Sequence, residues 1–105
     1  MKIGCDFDSV LVKRRGIPTT SDVWSDPPMD RAVDSLWLFF NNKIDFYILT
    51  NRYEGEWLQI KAWLEKWNFP PVKLITNVKQ PGTTIYLDDR AYRFTSWNDF
   101  RKLII

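Results

Sequence analysis

Asp6 and Asp8 stand two residues apart in Cys5-Asp6-Phe7-Asp8, and Asp88 and Asp89 are adjacent in Leu87-Asp88-Asp89-Arg90. Side chains two apart on an extended segment project to the same side, so Asp6 and Asp8 address one site. Carboxylates about 5 Å apart repel by roughly 3 kcal/mol at an effective dielectric of about 20. Protonation or a cation relieves that repulsion. With only oxygen donors on offer, the natural cation is Mg²⁺. Thr50, Asn51 and Lys79 add a hydroxyl, an amide and an amine. Carboxylate, cation, hydroxyl and Lys together suit a phosphate ester: Lys and cation neutralise phosphoryl oxygens, and N–H groups after Asn51 bind another.

These residues share a rim only if particular elements carry them. Four β-rich runs, Lys2–Asp8, Ile44–Thr50, Val72–Asn77 and Thr83–Asp89, read as strands. A helical pattern runs from about Pro27 to Asn41, with Asp26 as its cap and Pro27 at its first position. Ala32, Val33, Leu36, Trp37, Phe39 and Phe40 form its apolar face. A second helix fits Glu54 to about Asn68, with Trp57, Ile60, Trp63, Leu64 and Trp67 on one stripe, and must stop before Pro70-Pro71. Alternation of strand and helix predicts an α/β fold: a three-layer, Rossmann-like, mostly parallel sheet with right-handed crossovers. In such a sheet, ligands bind beyond the carboxyl ends of the strands, where Asp6, Asp8, Thr50, Asn51, Asp88 and Asp89 fall. The tail Trp97–Ile105 reads as a short helix, a fifth edge strand, or both. Lys13–Ser25 is the one long irregular stretch, and loops of about a dozen residues in compact domains are usually functional.

The inventory excludes much else. The 105 residues suffice for a single domain, 1–105. There is no His, so no Ser-His-Asp triad, imidazole base or His-bound zinc. Cys5 alone excludes intrachain disulfides and suits a reducing compartment. The longest apolar run, Leu36–Phe40, is five residues, far short of a membrane span. Asp6 and Asp8 break the N-terminus where a signal peptide needs its apolar stretch, so a cytoplasmic protein without a membrane partner is expected. Fifteen Lys and Arg against 13 Asp and Glu leave +2, which gives no indication of nucleic acid as partner without removing it from the candidates.

The order Asp6-Phe7-Asp8-Ser9-Val10, Ile48-Leu49-Thr50-Asn51, Val78-Lys79-Gln80-Pro81 and Tyr86-Leu87-Asp88-Asp89-Arg90 resembles the haloacid dehalogenase (HAD) superfamily over residues 2 to about 93. Asp-x-Asp alone is weak evidence; four motifs in order at strand ends are strong evidence. The resemblance implies strand order 3-2-1-4 and a Mg²⁺-dependent phosphatase working through an aspartyl-phosphate. It implies Asp6 as nucleophile and Asp8 as general acid and base. Thr50 with the neighbouring backbone and Asn51 would hold the phosphoryl group, and Lys79 would neutralise it. The cation would take Asp6, the carbonyl of Asp8, and one of Asp88 and Asp89. Lys73, a second candidate for the motif Lys, sits at the wrong end of its strand. Only five residues separate Asn77 from Thr83, so neither this connection nor the first loop admits a cap domain, as in capless members. Residues 13–25 then form the flap over an open site, with Lys13, Arg14, Arg52 and Arg90 as candidate substrate contacts.

Blander readings stand beside these. Asp6 and Asp8 can cap backbone N–H groups, Thr50-Asn51 is an ordinary strand end, and Arg52 and Arg90 can pair with neighbouring acids. Trp37, Trp57 and Trp67 read as core, while Trp24 and Trp97 can line a substrate or subunit surface, which keeps a homo-oligomer open. The substrate class runs from nucleotides through other phosphorylated metabolites to macromolecules. The competing function is a HAD-like protein that binds a phosphorylated partner or nucleic acid with little or no turnover.

Overall fold

The computed structural model describes residues 1–14 and 23–104. Four strands, β1 (Lys2–Cys5), β2 (Asp45–Leu49), β3 (Ile75–Thr76) and β4 (Ile85–Leu87), pair in the order β3-β2-β1-β4. All three pairings are parallel. β1 is central, with Gly4 opposite Tyr47 on one side and Tyr86 on the other. Among the described residues three α-helices accompany the sheet: α1 (Ala32–Asn41), α2 (Trp57–Lys66) and α3 (Trp97–Ile104). No helix among the described residues is long and apolar enough to cross a membrane.

The expected strand order and the parallel sheet are present. The third layer is not seen among the described residues. Both crossovers, β1–α1–β2 and β2–α2–β3, step the same way across the sheet, so right-handedness puts α1 and α2 on one face. The core is accordingly one-sided: Ile3, Cys5, Phe46 and Ile48 meet Leu36 of α1 and Ile60, Trp63 and Leu64 of α2. Tyr47 is buried on the opposite face, outside that cluster. The turn between β3 and β4 covers it, with Tyr47 Oη 2.8 Å from Thr83 Oγ1 and accepting the Gln80 N–H.

This packing accounts for Gly4. A methyl group there would lie 2.9 Å from Tyr47 Oη and 3.1 Å from Tyr86 Cδ1. Tyr47 is pinned by Thr83 and Gln80 and cannot yield freely. Gly4→Ala is therefore expected to cost about 1–3 kcal/mol, read as a lower urea midpoint. An unchanged midpoint would show that the sheet yields at this rung.

Several boundaries move. α1 begins at Ala32, not Pro27, because Pro27–Met29 is engaged in extended pairing: the Lys13 N–H donates to the Pro27 carbonyl and the Met29 N–H to the Leu11 carbonyl. Asp26 is buried and faces Arg14 rather than capping the helix, while its carbonyl accepts the Trp63 indole N–H. A left-handed Arg31 (φ 69°) then turns the chain into α1. Along α2 the apolar stripe packs as its spacing requires, with Trp57 and Trp67 partly buried against the core. On α1 the stripe is narrower. Trp37 and Phe40 are exposed, stacked edge to face, with the Trp37 indole donating to the Asn68 carbonyl. The tail is helical, and no fifth strand occurs among the described residues. The expected flap falls largely on residues 15–22, outside the described residues. At its far end Val23 is in the core and Trp24 packs against it.

Candidate functional site

Beyond the carboxyl ends of β1, β2 and β4 lies an open depression of about 480 Å³. β1 stops at Cys5, and the Asp6 N–H makes the next sheet hydrogen bond, to the Leu87 carbonyl (3.0 Å). Ser9 then adopts a left-handed conformation (φ 63°), and the Leu11 and Val12 N–H groups return to the Phe7 carbonyl. That tight turn buries Phe7 completely, against Trp24 and Trp63, and leaves the acids on either side of it at the rim.

The acids divide into two groups. One carboxylate oxygen each from Asp6, Asp88 and Asp89 lie within 4.8 Å of one another, a spacing suited to a divalent cation. The Asp8 side chain is not among them. Its Oδ1 accepts hydrogen bonds from Arg14 Nη1 (2.8 Å) and Arg52 Nη2 (2.9 Å), and its Oδ2 from Arg52 Nε (2.9 Å). Arg52 is thus bidentate, the strongest arrangement for a guanidinium and a carboxylate. Its Nη1 donates to Glu56, and its Cζ lies 5.1 Å from the Trp24 ring centre. Arg14 is braced in turn by Asp26, 3.5 Å from its Nε.

These surroundings push the two acids of the first motif in opposite directions. Burial, reinforced by the nearby charges of Asp88, Asp8 and Asp89, pushes Asp6 up to about 6, even though the Phe7 N–H stabilises its carboxylate. Asp8 is also penalised by burial, but hydrogen bonds and charge from Arg52, then Arg14, outweigh the penalty and hold it below the usual carboxylate range. A cation requires the Asp6 carboxylate. Its affinity is therefore expected to fall by up to about tenfold per pH unit below pH 6. Calorimetric titration with Mg²⁺ or Mn²⁺ at a series of pH values measures this. A flat profile between pH 5 and 7 would remove Asp6 from the cation site.

Asp6, Asp8, Asn51, Asp88, Asp89, Arg14, Arg52 and Arg90 all line the depression. Thr50, Lys79 and Lys13 do not. The buried Thr50 hydroxyl accepts the Arg52 N–H (3.1 Å) and shapes the turn after β2, as the Thr76 hydroxyl does after β3. Lys79 Nζ lies 5.3 Å from the centre of the Tyr86 ring, because the short β3–β4 turn folds back over the Tyr47 face. Sequence reasoning missed Glu56 and Tyr53, which also line the site; Trp24, read as lining a substrate or subunit surface, lies behind Arg52. Glu56 carried a signal, four residues after Arg52, but the pairing of Trp24 with Arg52 spans distant parts of the chain. Cys5 is no alternative nucleophile: burial pushes its thiol up to about 12.

A larger depression of about 730 Å³ lies between α2 and residues 69–75, lined mainly by apolar side chains with Glu54, Glu65, Lys61 and Lys73 among them. No family model, curated protein or solved structure matches the chain.

Proposed function

We propose that the chain is a HAD-like, Mg²⁺-dependent phosphatase that hydrolyses phosphoric monoesters through an aspartyl-phosphate on Asp6. The observation that carries this reading is the division of the acids: Asp6 sits with Asp88 and Asp89, while Asp8 is held beside them by two guanidinium groups. The donor set fits the cation, being three carboxylates with one oxygen each in mutual reach. Asp6, the Asp8 carbonyl, Asp88 and Asp89 would hold Mg²⁺, which when bound neutralises phosphoryl oxygens.

The protein's own groups do the rest. The Phe7 N–H holds Asp6 Oδ1 at 2.8 Å, leaving Oδ2 to attack phosphorus as the bond to the leaving oxygen breaks. Asp8 gives that oxygen a proton. It then takes a proton from the water that attacks the aspartyl-phosphate, releasing phosphate and restoring Asp6. The lock that Arg52 and Arg14 place on Asp8 favours its carboxylate form, the form that the second half of this cycle starts from, over the protonated form that the first half starts from. The resemblance gives neutralisation of the phosphoryl group to Lys79. The side chains that line the depression favour Arg14, Arg52 and Arg90 for it.

The same lock on Asp8 favours the second reading, a protein that binds a phosphorylated ligand and turns it over slowly. Phosphate release from an aryl phosphate and a panel of nucleotides, with and without Mg²⁺ and with Asp6→Asn as control, separates the two. Turnover that needs both metal and Asp6 supports the phosphatase. Equal inertness of wild type and variant supports the binding protein.

A further inference from the structure

Tyr53 stands apart from the rest of the acidic rim. Every other described residue lining the depression is polar or charged, so its ring is the one flat apolar surface there. Tyr53 is 69 % exposed, and among the described residues its ring meets no other ring and its hydroxyl makes no hydrogen bond. The ring is nevertheless braced. It lies against Gly55, where a methyl group would stand 2.7 Å from its Cε2 and 3.2 Å from its Cδ2. The missing side chain at Gly55 thus lets the ring rest on the backbone of the turn after β2. The Glu56 N–H donates to the Tyr53 carbonyl (2.9 Å) and closes that turn.

We propose that Tyr53 is the stacking platform for the organic part of the substrate, so that the site takes phosphomonoesters carrying a flat aromatic ring, as a nucleobase or a phenyl group does. This role rests on the reading of the acidic rim as the seat of the phosphoryl group, and it assigns what holds the other end of the molecule. A lone exposed Tyr is ordinary on a protein surface. This one is set apart by its place: acids and guanidinium groups line the rest of the depression, and the apolar part of a bound ester has this ring to lie on. Stacking favours a flat ring over a saturated one of the same size, because it draws on the face of the π-system as well as on buried area. A depression of about 480 Å³ falls within the size range of small-molecule sites.

Calorimetric titration with phosphonates, which cannot be hydrolysed, tests this in the presence of Mg²⁺. Benzylphosphonate is expected to bind about tenfold more tightly than cyclohexylmethylphosphonate, which has the same charge and a ring of similar size without a flat face. Tyr53→Ala should remove that preference and Tyr53→Phe should keep it. Gly55→Ala, which displaces the ring without removing it, should weaken it. The methylenephosphonate analogue of adenosine monophosphate separates the two sources of a flat ring: binding tighter than benzylphosphonate points to a nucleotide, and weaker binding to an aryl phosphate. Equal binding of the flat and the saturated ring overturns the proposal, as does a preference that survives Tyr53→Ala. A chain that binds none of the phosphonates overturns it together with the phosphate site. Failure of the phosphatase reading alone has a different signature: the preference for flat rings is intact, while no ester, glycerol phosphate included, releases phosphate.

Discussion

Asp6→Asn is expected to lower metal-dependent phosphate release by on the order of 10⁴-fold or more, because it removes the nucleophile and not merely a contact. The amide oxygen is a poor nucleophile and carries no charge to the cation. Its shape matches the carboxylate, so the turn around Phe7 should survive. Loss of the Asp6 charge should also ease the crowding that pushes this group up to about 6. The variant is therefore expected to be at least as stable as wild type at neutral pH. The sign follows from linkage: a carboxyl whose pKa is raised on folding favours the folded state below its unfolded value, and that contribution is lost as pH rises through about 6. Inactivity combined with an undiminished melting temperature would place the loss in chemistry. An active Asp6→Asn chain would end the aspartyl-phosphate mechanism.

Arg52→Met is expected to have the second largest effect, about 10²-fold in steady-state turnover, with a distinct kinetic form. Arg52 holds both oxygens of Asp8, and the stacked Trp24 and Glu56 fix its own position. Without it Asp8 keeps only Arg14 and is free to rotate. The water-activating half of the cycle then suffers most, so aspartyl-phosphate should accumulate. Rapid-quench kinetics with an aryl phosphate would show a burst of phenol followed by a slow phase. Arg52→Lys keeps the charge without the two-pronged geometry and should recover little. The removed hydrogen bonds join charged, partly buried partners, and stability should fall by about 2 kcal/mol. A variant with the stability loss but wild-type turnover would mean that Arg52 is purely structural.

The limits of the sequence are clearest at Asp8. Its place after β1, two residues beyond Asp6, was legible from spacing alone, since period two puts both acids on one side. Its environment was not. Arg14, Trp24 and the Arg52–Glu56 pair come from three separate segments, and only tertiary packing brings them together around one carboxylate. Lys79 shows the reverse case. Motif order assigned it to the rim, but the short connection between β3 and β4, residues 77–84, constrains where a side chain can go, and it lies over Tyr47 with Lys79 above Tyr86.

By itself, the sequence determined the alternation of strand and helix, the parallel sheet in the order β3-β2-β1-β4, the stripe along α2, and the collection of Asp6, Asp8, Asp88 and Asp89 at one edge. The strand order was implied by the resemblance that the four motifs carry; the rest follows from local periodicity plus the handedness of the crossovers. Only the tertiary structure decided that the core is one-sided, that α1 starts after an extended Pro27–Met29 segment, and that α3 is a helix with no buried side. Those outcomes depend on which distant surfaces compete for the same backbone donors and apolar faces, and periodicity within a single segment carries no record of that competition.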